Sequence, residues 1–284
     1  MIYRSLRAFA REFALGRRLH MIAADLEAPV VKLPQYKNDP AILYHYCSAA
    51  TFQAIISRNT IRLSALRSSN DSMEGAWYDG KLLEAIRKQA EDIPGWYFEQ
   101  QAYINRGATV GLCLTEAGDL LSQWRGYADD GRGFCIGFNG PKLMEFCLMG
   151  GQAIKVIYNE DDQEDFIRKL VAKQRQRKLT DLILEVTRNF AFSFKHPAFE
   201  EEREWRVIQD VAFEHCDYLA KSTHLSAYKD IGIPEDKRQG LIAEVIIGPG
   251  NITSVEMVRG FMLRHGFDSS KCEIKRSHSS YRVR

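Results

Sequence analysis

The chain has no C-x-x-C pair, no apolar run approaching the ~20 residues of a membrane span, and almost no excess of one charge. Its six cysteines, Cys47, Cys113, Cys135, Cys147, Cys216 and Cys272, stand far apart. Cys47, Cys113 and Cys135 fall inside runs that read as buried strands. They read as reduced core thiols of a cytoplasmic protein, which argues against a disulfide framework or a zinc site. The net charge of +2 gives no global field for nucleic acid or for a membrane surface. Glycine patterns for dinucleotide or phosphate cradles are missing too, since GRGFCIG lacks the preceding strand and following helix that such motifs need. No internal repeat or low-complexity tract interrupts the chain.

What remains is an ordinary globular composition. In 284 residues, 45% are hydrophobic and 27% charged, enough to bury a sizeable core. Residues 1–26 are rich in Arg and carry Ile2, Leu6, Phe9 and Phe13 at alternating four- and three-residue steps, an amphipathic basic helix. Such a helix suits docking of a protein partner, a membrane surface, an organelle transit peptide, or packing back on its own domain. KLPQYKNDP, residues 32–40, reads as a linker. This divides the chain into an N-terminal helix and linker, residues 1–40, and a single α+β domain, residues 41–284.

Within that domain, ILYHYCS alternates as a strand with Leu43, His45 and Cys47 on one face and Ile42, Tyr44 and Tyr46 on the other. Ser48 is a good N-cap for a helix to Arg58, and TIRLSAL begins a second strand. Asp71 to Glu74 fits a capping box for the next helix. ATVGLCLT reads as an apolar strand. In DLLSQWRGYADDGRGFCIGF, Leu120, Leu121 and Trp124 form the buried side of a short helix that projects Ser122, Gln123, Arg125 and Tyr127 elsewhere, and FCIGF is a further strand. Glu160 to Phe194 is expected to be mostly one long helix, acidic at its start and basic from Arg168 through Lys173, Arg175, Arg177 and Lys178, which suits a solvated face or a nucleic-acid contact. LIAEVIIG is a buried strand, ITSVEMVRGFMLRHG a helix and CEIKRS a late exposed strand. The class expected is α+β, with a mixed or antiparallel central sheet and flanking helices.

Chemistry concentrates in FEEEREWRVI, residues 199–208. On a strand, Glu202, Glu204 and Arg206 point together while Trp205 and Val207 face the core. Two nearby carboxylates repel, which raises one pKa, whereas a guanidinium holds the other ionised. The pair can therefore divide acid, base and electrostatic roles, or it is a solvated edge-strand face. Arg125 is expected to meet a planar anionic partner, and His45 is either a hydrogen-bonded core residue or a functional one beside Tyr44 and Tyr46.

LYHYCS, SNDSME, CLTEAGDLLSQWRGYADDGRGFCIGF, FEEEREWRV, EVIIGP and the terminal Tyr281-Arg282 together resemble a bacterial family known only as a domain of unknown function, from residue 41 onward. LYHYCSAATFQAIISRNTIRLS is also similar to the opening strand, helix and strand of His-Tyr-Glu-type ADP-ribosyltransferases, and Glu202-x-Glu204 resembles the Glu-x-Glu signature of their arginine-directed members. Tyr46 and Cys47 stand where that family has Gly and Thr. This resemblance implies an ADP-ribosyltransferase-like fold and NAD as substrate, with no metal. His45 would orient a ribose, and Tyr46, Ser48 and Ser64 would line the cleft. Trp124 or Tyr127 would stack on the base, and Arg125 and Arg206 would hold anionic groups. Glu204 would stabilise the oxocarbenium-like state and Glu202 would deprotonate an acceptor or water. The expected activity is NAD-consuming transfer or glycohydrolysis, in the setting of a bacterial toxin or phage-defence effector. Two alternatives stand beside it: a binding module that docks a protein through residues 1–26, with the charged residues as a structural network, and a nuclease.

Overall fold

The fold is that of a computed structural model describing residues 41–281, apart from 69–74, 89–91, 148–150, 175–190 and 268–269. The N-terminal helix, the Asp71–Glu74 capping box and the basic residues 175–178 lie outside the described residues.

The pass from β1 (Ile42–Cys47) through α1 (Ala49–Arg58) to β2 (Thr60–Ala65) follows local sequence signals. Ser48 caps α1 by accepting a hydrogen bond from the Thr51 amide at 3.2 Å. Asn59 ends the helix in the left-handed region, φ 49°, which Asn tolerates better than most residues. Then come α2 (Ala76–Arg87), α3 (Gly95–Ile104), β3 (Gly107–Thr115), α4 (Leu121–Tyr127), β4 (Phe134–Asn139), α5 (Gly140–Cys147), β5 (Gln152–Lys155) and α6 (Glu160–Gln174). A 3-10 turn, Pro197–Glu202, leads into β6 (Glu204–Ala212), followed by β7 (Asp217–Ala220), β8 (Leu225–Gly232), α7 (Glu235–Arg238), β9 (Ile242–Ile247), α8 (Val255–Arg264) and β10 (Glu273–Arg276). The protein is α+β with a mixed, mostly antiparallel sheet. Among the described strands the parallel pair is β9 with β10.

The sheet forks at β3. One edge of β3 pairs with β6 over its whole length, from Gly107 opposite Ala212 to Thr115 opposite Glu204. The other edge is shared: β1 pairs at Thr115, through Tyr44, and β2 pairs at Gly111 and Val110. One wing runs β1-β4-β9-β10, the other β2-β8-β7. Among the described residues, positions 112–114 make no strand pair on the forked edge. There the His45 ring reaches in, Nδ1 3.0 Å from the Cys113 carbonyl oxygen.

Both faces of the sheet are covered, which explains why its strands read as apolar runs. One face holds Leu43, Cys47, Leu112, Leu114, Trp205 and Val207 in a core shared with Phe52, Ile55 and Ile56 of α1, Leu143 of α5 and Val258 and Met262 of α8. The opposite face packs Ile208 under Tyr78, Leu82 and Ile86 of α2 and Phe166, Ile167 and Leu170 of α6. It also packs Tyr46 and Cys135 under Trp124 and Ala128 of the α4 region.

Two expectations are corrected. The helix expected through Phe194 is not continuous to that point. Residues 191–193 form a turn and Phe194 bridges to Ile157. The Phe192 and Ser193 carbonyls, which a helix would use internally, instead accept from Arg206 at 2.7 Å and from the Ile157 amide at 2.8 Å. Glu202 is not on the strand either. It closes the 3-10 turn, and Arg203 at φ 41° separates it from β6.

The α4–β4 connection turns through Asp129, Asp130 and Gly131, all at positive φ. Gly133 then passes against β1: a Cβ there would lie 2.0 Å from the Cys47 carbonyl oxygen and 2.9 Å from that of Ala128. Both contacts are backbone and cannot swing aside. Gly133→Ala should therefore cost on the order of 3 kcal/mol, read as a lower urea midpoint at unchanged m; a midpoint equal to wild type would refute this close approach.

Candidate functional site

The site is assembled at the junction of the 191–195 turn, the Pro197–Glu202 turn and the start of β6. Residues 191–194, AFSF, are buried and carry Lys195 in with them. His196 caps the 3-10 turn and Pro197 opens it, a position where its missing N–H costs nothing. The turn swings Glu202 back over Lys195, and the strand places Glu204 and Arg206 on the face of Cys113 and Thr115.

The resulting network is tight. Arg206 grips Glu204 with two parallel hydrogen bonds, Nε to Oε1 and Nη2 to Oε2, each 2.8 Å. The Lys195 ammonium donates to Glu204 Oε2 at 3.2 Å and to Glu202 Oε2 at 2.5 Å, and it sits 4.7 Å above the Phe199 ring centroid. The Tyr158 hydroxyl accepts from the Glu204 amide at 3.0 Å. Two carboxylates and two cations thus neutralise one another in a buried setting. Burial alone would raise the Glu204 pKa, but the Arg206 guanidinium, the Lys195 ammonium and a hydrogen bond from Cys113 outweigh it and hold the carboxyl at about 2. Burial opposes the charge on Lys195, yet Glu204 and Glu202 raise its pKa.

Glu202 is the accessible end of this network, its side chain 15% exposed. Its second oxygen accepts from the Tyr127 hydroxyl at 3.0 Å, and one turn earlier on α4 Ser122 donates to Glu201 at 2.9 Å. Both ends of α4 are thereby fastened to the 3-10 turn. Tyr127 and Phe199, each partly exposed, form an aromatic rim beside Glu202. Burial, then the Glu202 charge, pushes the Tyr127 phenol pKa up, so it stays a neutral donor.

The helix is also tied from the other side. Asp119 accepts the Trp124 indole N–H at 2.6 Å, the Ser277 hydroxyl at 2.6 Å and the His278 amide at 2.7 Å, and the Tyr281 hydroxyl donates to Asp130 at 2.8 Å. The segment after β10 straps α4 in place.

The structure brings together Glu202, Glu204, Arg206 and Tyr127. The other expected site residues go elsewhere. The pairing of Tyr44 with Thr115 and of Thr115 with Glu204 sets Tyr44 and Glu204 on one face, so His45 belongs to the opposite one. Burial lowers the His45 pKa against the opposing Cys113 carbonyl bond. Tyr46 is buried, its hydroxyl donating to the Ala117 carbonyl and accepting from the Leu120 amide. Trp124, 0% exposed, meets Tyr46 edge-on with ring centroids 4.9 Å apart, leaving no ring face for a base. Ser48 is spent as the α1 cap. Ser64 is exposed on β2 opposite Gly111. Arg125, expected between apolar strands with an anionic partner, is exposed on α4, 5.9 Å from the Tyr281 ring centroid. The arrangement of the His-Tyr-Glu enzymes is therefore not reproduced by these positions.

Lys195, Tyr158 and Asp119 belong to the site region without having been expected there. Lys195 had one local signal, a cation closing the apolar run AFSF.

Residues 123–207 match the model of a protein family of unknown function, DUF2971. That span begins in α4 and ends in β6. It holds SQWRGYADDGRGFCIGF from Gln123 on together with FEEEREWRV, so the two segments that meet at Tyr127 and Glu202 are the ones it contains. LYHYCS, SNDSME, EVIIGP and the C-terminal residues lie outside it. No curated protein and no solved structure matches the chain significantly.

Glu204→Gln leaves Arg206 and Lys195 with too little buried negative charge and should cost about 3–5 kcal/mol. The pH dependence has a definite sign. A carboxyl held at about 2 instead of its ordinary 4.5 stabilises fully above pH 4.5 and loses that contribution as pH falls toward 2, about 3 kcal/mol in all. Urea midpoints at pH 7, 4.5 and 3 should show this acid limb in wild type and a shallower one in Glu204→Gln; equal slopes would refute the assignment.

Proposed function

We propose that the protein consumes NAD or a closely related nucleotide, breaking the bond between nicotinamide and ribose as a glycohydrolase or an ADP-ribosyltransferase. The observation that carries this reading is Glu202, a carboxylate held between Lys195 and Tyr127 at the partly exposed edge of a buried charge network, with Tyr127 and Phe199 beside it for stacking. In such a reaction the C1′–N bond breaks and nicotinamide leaves with the bonding electron pair. The ribose becomes oxocarbenium-like, a state that a fixed carboxylate stabilises. Water or an acceptor nucleophile then bonds to C1′ and gives its proton to Glu202 or to solvent. Glu204, with both oxygens engaged by Arg206, holds Lys195 and through it Glu202, which moves the acting carboxylate from Glu204 to Glu202. This activity would suit a toxin or an antiviral defence effector in the cytoplasm.

A second reading is favoured by the same bidentate pair: a protein-binding module in which the whole network is structural. The nuclease alternative gains no support, since among the described residues no three His, Cys, Asp or Glu side chains gather as a metal site.

Purified protein incubated with NAD, alone and with a cell lysate as acceptor source, should release free nicotinamide. Glu202→Gln should lower release at least 100-fold, the size of a lost acid–base or electrostatic contribution, assayed below a melting temperature that loss of the Lys195 ion pair lowers. Absence of release from wild type under both conditions would abandon the enzymatic reading for the binding module.

A further inference from the structure

Gln123 is a buried polar side chain of α4 that the network does not use. It lies one turn before Tyr127 on α4, so at the four-residue helical spacing the two share a face. Tyr127 on that face is held to the 3-10 turn through Glu202, and Ser122, next to Gln123 in sequence, is held to it through Glu201. Gln123 is only 6% exposed, and its Nε2 is buried without a hydrogen-bond partner. Burying a donor unpaired is costly, and such groups are rare enough in folded proteins to need a reason. Trp124, its neighbour in sequence, shows the contrast: its indole N–H is equally buried and is met by Asp119 at 2.6 Å.

We infer that Gln123 is a specificity residue for the ligand of this site, its carboxamide pairing with the exocyclic amide of a planar ring stacked against Tyr127. This rests on the proposed nucleotide reading and deepens it. An amide offers one carbonyl acceptor and an N–H₂ donor. A ligand carboxamide such as that of nicotinamide can take the Gln123 N–H and return its own to Gln123 Oε1, two parallel bonds that a ligand carboxylate cannot complete. A ligand carboxylate meets the Gln123 donor but sets its second oxygen against Gln123 Oε1, acceptor against acceptor, and this mismatch is what discriminates against it.

The test compares NAD with its nicotinic-acid counterpart, whose ring bears a carboxylate, on the full chain. Binding is followed by ligand-induced shifts in melting temperature, and turnover by release of the free base. Wild type should prefer NAD by about tenfold or more, and Gln123→Met, which keeps the volume and removes the polar atoms, should lose most of that preference. The ligand-free variant should melt higher by about 2–4 °C, because an unmet donor has been removed. A variant that keeps the wild-type preference overturns the role of Gln123 while leaving the NAD reading in place. A lower melting temperature with unchanged preference means that the amide is met by buried water and also overturns it. Wild-type protein that neither binds nor cleaves either dinucleotide overturns the NAD reading and this inference together.

Discussion

The constraint on which the rest of the site depends is the charge balance around Glu204. Moving a carboxylate and a guanidinium into a protein interior costs several kcal/mol per ion, repaid only when geometry is good and the remaining polar atoms are satisfied. Arg206 meets that condition by binding both Glu204 oxygens and the Phe192 carbonyl. Lys195 supplies the second cation and Glu202 the second anion. These four side chains fasten together segments that are otherwise separate: the turn after α6, the 3-10 turn and the β6 strand. Because each charge needs the others, the location of Glu202 is set by Glu204, although the two do not share a strand.

The forked sheet decides what the histidine can do. β3 needs a partner on both edges, and two strands from one β-α-β unit divide its second edge between them. Where they part, the His45 ring meets the Cys113 main-chain carbonyl with a hydrogen bond. Burial favours its neutral form, which can donate that bond through one nitrogen. A strand-borne His beside two tyrosines reads as either a hydrogen-bonded core residue or a functional one. In this fold the tyrosines and the histidine fall on opposite sides of β1, and only the tyrosine side is continuous with Glu204.

Helix α4 links the site to the rest of the molecule. It leans on the 3-10 turn through Ser122 and Tyr127, and it is held from behind by Asp119, whose carboxylate gathers the Trp124 indole and the segment after β10. The family match runs from Gln123 in α4 to Val207 in β6 and so takes in both Tyr127 and Glu202, which meet through the 3-10 turn. The strand and helix bearing His45 lie outside it.

Local chemistry was legible in the sequence by itself. Period-2 alternation marked β1 and β6, Ser48 and Asn59 bounded α1, and apolar runs marked β3, β4 and β9 as strands covered on both faces. The α+β class and the shared strand face of Glu204 and Arg206 followed from those patterns, whereas Glu202 joins them from the 3-10 turn. The tertiary structure alone decided which charges meet. Lys195 reaches Glu204 because the chain breaks at 191–194, where the turn gives its carbonyls to Arg206 and Ile157 in place of helix bonds. No local pattern encodes that exchange. The face on which His45 lies followed from strand register, since a shift of one residue inverts every side chain of a strand. The register of β1 against β3 rests on a single pair at Thr115 and is set by how two wings share one edge, a long-range constraint that the residues around His45 do not contain.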